Sequence, residues 1–63
     1  MKRVQFKQVL IGQHFWYGGI EWVKVEMQYP EGDCCTPDWN AYAVNDEEMR
    51  AMFHFTRKVE IES

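Results

Sequence analysis

Long apolar runs are missing from this sequence. None approaches the roughly 20 residues needed to cross a bilayer, and Met1 to Leu10 alternates charged with apolar residues where a signal peptide would carry a greasy segment. That pattern predicts a cytoplasmic protein with no membrane partner. Cysteine is scarce and badly placed for cross-linking: the two present, Cys34 and Cys35, are adjacent, which strains any bond between them and closes no loop. A reducing compartment fits that usage. Cations are also in short supply, seven Lys plus Arg against ten Asp plus Glu, for a formal charge of -3. Length is the tightest limit. A 63-residue chain buries only about 60% of the surface its unfolded form exposes, so it can build one thin core and no second domain.

What is present is bulky. Apolar residues make up 46% and aromatics 16% of the chain, enough to hold a small fold through a few large contacts and to exclude disorder. We read residues 1–63 as a single β domain. The clearest local signal spans Gln13 to Met27, where two aromatic and β-branched runs flank Gly18-Gly19. A two-residue hairpin turn needs positive φ at its centre, and glycine supplies it without a Cβ penalty. Counting outward sets Tyr17 opposite Ile20, Phe15 opposite Trp22 and Gln13 opposite Lys24, with Trp16 opposite Glu21 and His14 opposite Val23 on the other face. The first face is the better core candidate. The second, with Trp16, Val23, Val25 and Met27, must then be covered by a curled sheet, another subunit or a partner.

Val4 to Lys7 alternates and reads as a short first strand or an irregular lead-in, continuing through Val9-Leu10-Ile11 to a turn at Gly12. Gln28 to Asn40, rich in turn formers and holding the only prolines, Pro30 and Pro37, reads as a long loop. Ala41 to Val44 is a short strand candidate, and Lys58 to Glu62 alternates cleanly as a final one. Between them, Asn45 to Phe55 has two readings. Asn45 with Glu48 resembles a capping box, and Met49, Met52 and Phe53 share a helical face, which leaves a helical turn near 46–53 open. Met49, Ala51, Phe53 and Phe55 also alternate as a strand after a connecting turn at Asn45 to Glu48, and the flanking strands favour this second reading.

The string Phe6-x-x-Val9-x-x-Gly12-x-x-Phe15, followed by Gly19, Trp22-x-Lys24, Asn40-Ala41, Val44 and Val59, resembles a loose class of small phage and prophage proteins. These are similar in pattern to compact Src-homology-3-like β-barrels, and most have no assigned activity. The resemblance spans nearly the whole chain and rests on core and turn positions. It implies a small, partly open barrel of about five short antiparallel strands and a phage-type accessory role with no catalytic residue. The partner it implies is a host enzyme or defence component that the protein occludes. The region after Val44 departs from the pattern, with Asp46-Glu47-Glu48 in place of a glycine turn.

Catalytic and metal chemistry have little to stand on. Cys34, Cys35, His14 and His54, with Asp33 as a substitute, would supply zinc ligands, but adjacent cysteines lack the spacing that lets paired thiolates converge on one ion. The same cysteines and histidines, with Asp33 or Asp38, pass the residue list for a nucleophilic triad, yet no glycine-rich elbow or oxyanion-hole pattern surrounds them. We therefore expect no enzyme, no cofactor and no metal. Nucleic-acid binding through Phe15, Trp16, Tyr17 and Trp22 beside Lys2, Arg3, Lys7, Lys24, Arg57 and Lys58 is the alternative function, opposed by the acidic balance and a pI near 5.2.

Protein recognition is the leading reading, because three Trp, three Tyr and four Met exceed what so small a volume hides, and these residues dominate interface cores. Trp22, Phe15, Tyr42 and Phe53 are assigned to the protein's own core. The expected partner-binding residues are Trp16, Tyr29 and Trp39, rimmed by the acidic Glu21, Asp33 and Asp38. A homodimer formed through an open strand edge would use the same apolar surplus.

Overall fold

Gly18 and Gly19 take φ angles of +63° and +78°, the left-handed conformation that lets two residues reverse the chain. The hairpin they close is built in the expected register. A computed structural model describes residues 1–32 and 35–62. Its strands are β1 (Lys2–Gln5), β2 (His14–Tyr17), β3 (Ile20–Gln28), β4 (Trp39–Ala43), β5 (Asp46–Ala51) and β6 (Lys58–Ile61), with one turn of 3-10 helix at Phe6–Gln8. In β2 and β3, Tyr17 lies opposite Ile20, Trp16 opposite Glu21, Phe15 opposite Trp22 and His14 opposite Val23.

The six strands form one open antiparallel sheet in the order β1-β6-β2-β3-β4-β5. The all-β class is as expected, with one strand more than the resemblance implied. No helix occupies 46–53. The turn falls earlier, at Val44-Asn45, so β5 begins at Asp46 and ends at Ala51, and Phe53 and Phe55 lie beyond it. Alternation at the N-terminus is likewise cut short: the first strand starts at Lys2, and Phe6 and Lys7 belong to the 3-10 turn. There the Gln8 side chain accepts the Gln5 N–H at 2.9 Å. Trp39, read as a loop residue, opens β4 opposite Gln28. Among the described residues no helix is long and apolar enough to cross a membrane.

The core lies on one face of the sheet and is closed by the 3-10 turn and the segment from Met52 to Arg57. Main-chain bonds from Phe6 N–H to the Arg57 carbonyl (2.8 Å) and from Lys7 N–H to the Phe55 carbonyl (2.9 Å) tie these two pieces together. Phe53 sits at the centre. Its ring stacks on Phe6 at 5.3 Å and meets Phe15, Tyr17 and Trp22 edge-on at 5.1 to 5.3 Å, the arrangement aromatic quadrupoles favour. Val4, Val9, Ala41, Ala43 and Val59 complete the buried cluster. Tyr42, assigned to the core from sequence, is instead half-buried on the opposite face, one residue out of phase with Ala41 and Ala43. Tyr17 and Ile20 are on the core face but at the hairpin tip, and remain exposed.

Asn40 is buried at 4% exposure, and its side chain pairs with the main chain of Phe53. The Asn40 amide nitrogen donates to the Phe53 carbonyl at 2.9 Å, and its amide oxygen accepts the Phe53 N–H at 2.8 Å. The pair does for Phe53 what a neighbouring strand would. Removing it leaves a buried donor and acceptor without partners, each costing about 1–3 kcal/mol. Asn40→Ala is expected to lose about 2–3 kcal/mol in urea unfolding by this mechanism, with Asn40→Asp, which keeps only the acceptor, also destabilised; a wild-type midpoint for Asn40→Ala would show the clasp to be idle.

Candidate functional site

Two surfaces stand out. The first is the sheet face away from the core, where the alternation of β2 and β3 puts Trp16, His14, Glu21 and Val23. Trp16 is half-buried between its cross-strand neighbours Glu21 and Glu60. His14 Nδ1 lies 2.7 Å from Glu21 Oε2. Val23, opposite Tyr42, is buried although it faces away from the core, because the aromatic and imidazole groups around it form a thin cover of their own. Trp39 joins this face at its far end: its ring lies 6.4 Å from Tyr42, and the Arg50 guanidinium sits over it at 4.7 Å, a cation–π contact.

The expected partner-binding residues are therefore split. Trp16 and Glu21 lie at one end of β3, while Tyr29 and Asp38 are exposed beside Gln28 at the other, where Asp38 N–H bonds the Gln28 carbonyl at 2.7 Å. From Glu21 to Gln28 the chain climbs on the order of 20 Å at a strand rise of about 3.3 Å per residue. Tyr29 turns back on its own strand, its hydroxyl 3.4 Å from the Met27 sulfur. The expectations for Asp33 and Cys34 lie outside the described residues. Among the described residues no group of three His, Cys, Asp or Glu side chains converges on a point. His54 Nδ1 is 2.8 Å from the Thr56 hydroxyl, and its ring stacks on Phe55.

The second surface went unnoticed in the sequence. A groove of about 480 Å³ opens between the 3-10 turn, the second half of β3 and the segment after β5. Four large apolar side chains on its walls are strongly exposed: Ile11 at 61%, Phe55 at 56%, Met27 at 46% and Met52 at 41%. The only signal available beforehand was their number, since no periodicity groups residues from three separate segments. Phe6, Phe53 and Asn40 also line it, so the groove is the unfilled margin of the core itself.

Lys24 supplies the groove with a cation. It follows Trp22 on the core-facing side of β3, and its ammonium donates to the Phe6 carbonyl at 3.1 Å and the Val9 carbonyl at 2.7 Å while lying 4.5 Å above the Phe6 ring. Burial lowers its pKa from the ordinary 10.5, because an apolar surround disfavours the charged form. No protein-family model, curated protein or solved structure matches this chain.

Two expectations follow from this geometry. Trp16→Ala should stay cooperatively folded and lose no more than about 1–2 kcal/mol, since the indole is half-buried and outside the core; loss of the unfolding transition would make Trp16 part of the core. For Lys24, the unfolded chain holds the proton more tightly than the folded one between the lowered value and 10.5. Stability should therefore gain a component that rises with pH across that window. Comparing unfolding from pH 8 to 10.5 in the wild type and Lys24→Met isolates it, and identical slopes would show that Lys24 titrates normally.

Proposed function

We propose that this chain is a non-catalytic protein-binding module. The observation that carries the reading is the grouping of Ile11, Met27, Met52 and Phe55 around one groove, apolar area that folding leaves in water and that a partner would cover. On this reading the groove is the primary contact, and the Trp16–Tyr42–Trp39 face, with its carboxylate rim, is a secondary one. The resemblance to phage accessory proteins extends the proposal: the partner is a host protein whose activity is occluded, and the setting is the host cytoplasm.

Nucleic-acid binding is less well supported. Phe15 and Trp22 are inside the core and have no face on which a base could stack, and Tyr17 already carries the Arg57 guanidinium at 5.7 Å. Self-association of β5 with β5 meets a charge barrier, because this edge strand exposes Asp46, Glu47 and Glu48, the kind of edge that resists pairing with its own copy; the other edge, β1, exposes Lys2 and Arg3.

The test uses tagged wild type and the rim variants Met52→Asp and Phe55→Asp as baits against host lysate, with partners identified by mass spectrometry. Both substitutions are at exposed positions, so unfolding midpoints should be nearly unchanged. A partner captured by wild type and lost from both variants is the expected result. Capture that survives both but fails with Trp16→Ala would transfer the site to the opposite face, and no specific capture at all would remove the binding reading.

A further inference from the structure

We propose that the groove takes the C-terminal end of an extended apolar polypeptide, added as a strand along β3 with its terminal carboxylate at Lys24. This rests on the protein-binding reading above and names the chemistry of the partner.

Three features of the site converge on that occupant. The first is an open strand flank. β2 pairs with β3 only as far as His14 opposite Val23. One further exchange follows, with Lys24 N–H donating to the Gln13 carbonyl at 3.1 Å and Gly12 N–H to the Lys24 carbonyl at 2.7 Å. The chain then turns away at Gly12, whose φ of +88° allows the reversal. Among the described residues no strand lies on that side of β3 from Val25 to Gln28. The Gln28 carbonyl accepts the Asp38 N–H at 2.7 Å, and the Glu26 carbonyl accepts the Gln28 side-chain amide at 2.9 Å, an exposed bond that the main chain of an added strand would replace. On the other side the register with β4 slips between Lys24 and Gln28, and such irregularities re-aim side chains next to binding surfaces.

The second feature is the apolar wall. Side chains of an added strand alternate, and those on the core side would enter the groove between Met27, Met52 and Phe55. The third is charge. An ammonium has three donors, and Lys24 spends two on the carbonyls of Phe6 and Val9. Among the described residues no carboxylate lies within ion-pair distance of it. A half-buried cation without a carboxylate in direct contact is a standing cost that an incoming anion relieves, and Glu26, which also lines the groove, is exposed and forms no ion pair with Lys24.

Direction then selects the C-terminus. A strand antiparallel to β3 along Val25 to Gln28 runs from the Gln28 end toward Lys24, along the same line as β2 and stopping where Gly12 and Gln13 begin. Its last residue therefore lies beside Lys24. A chain that continued past this point would collide with the turn at Gly12, whereas one that ends there presents its carboxylate to the ammonium. A free fatty acid would satisfy the cation and the apolar wall, but would leave the main-chain groups of β3 unused.

The experiment titrates isotope-labelled wild-type protein with a synthetic peptide, two serines followed by Val-Leu-Val-Leu with a free C-terminal carboxylate, and with its C-terminal amide. Amide resonances of Lys24 to Gln28 and of Met52 to Phe55 are expected to shift on adding the acid. The amide should bind at least about tenfold more weakly, the equivalent of about 1.4 kcal/mol. Phe55→Asp, at an exposed position, should abolish the shifts without altering the unfolding midpoint. Equal affinity of acid and amide would overturn the carboxylate anchor, and absence of groove shifts at millimolar peptide would overturn the strand addition. Decanoate in a third arm separates the sources: shifts with decanoate and none with the peptide would assign the groove to lipid-like anions. If the peptide fails while Phe55→Asp still abolishes partner capture, the peptide chemistry falls and protein binding stands; if capture also never occurs, both fall.

Discussion

The side-chain amide of Asn40 and the main chain of Phe53 hold each other through two short hydrogen bonds in a buried setting, and most of the tertiary structure depends on that contact. Phe53 lies beyond the end of β5 and belongs to no strand, so without Asn40 its buried N–H and carbonyl would have no partners and its position would be set by the ring alone. With the main chain pinned, the ring occupies the middle of the aromatic cluster and meets Phe6, Phe15, Tyr17 and Trp22 at once. One polar pair thus determines where the hydrophobic core of a very small domain can form, an example of a satisfied buried network specifying a core.

The same pair shapes the surface. Pinning Phe53 carries Met52, His54 and Phe55 across the end of the sheet, and the 3-10 turn follows because Lys7 and Phe6 bond to Phe55 and Arg57. Lys24 then caps the turn from below, by donating to the carbonyls of Phe6 and Val9. Core, groove and cation are consequently one construction. Among the described residues no apolar side chain covers Ile11, Met27, Met52 and Phe55 across the groove. The concentration of exposed apolar area in one place is a consequence of the path taken by the segment after β5.

How much could be read beforehand differs between elements. The β2–β3 hairpin was legible to the residue: Gly18-Gly19 permits only a short list of turns, and a two-residue turn settles every pairing outward from it. The last strand was equally clear from its alternation. Asn45 to Phe55 was ambiguous because its charges suit a helix start and its apolar residues suit a strand. The ambiguity was resolved by pairing with β4, which has Ala41 and Tyr42 opposite Ala51 and Arg50. The candidate site was less legible. Trp16 was placed correctly on the second face, but Tyr42 was misassigned to the core, and Tyr29 and Asp38 proved distant from Trp16. Large side chains were counted as interface or core by type, whereas exposure depends on which neighbours arrive from elsewhere in the chain.

Local order in this protein was therefore set by sequence: the turn, the strand register and the all-β class follow from glycine conformational freedom and a two-residue side-chain period, both properties of adjacent residues. The tertiary structure alone decided that Asn40 would be buried, that Lys24 would face the carbonyls of Phe6 and Val9, and that Ile11, Met27, Met52 and Phe55 would share one groove. Each of those outcomes joins segments far apart along the chain. No pattern among neighbours encodes such a meeting; it is fixed when one polar clasp and one aromatic ring close the core.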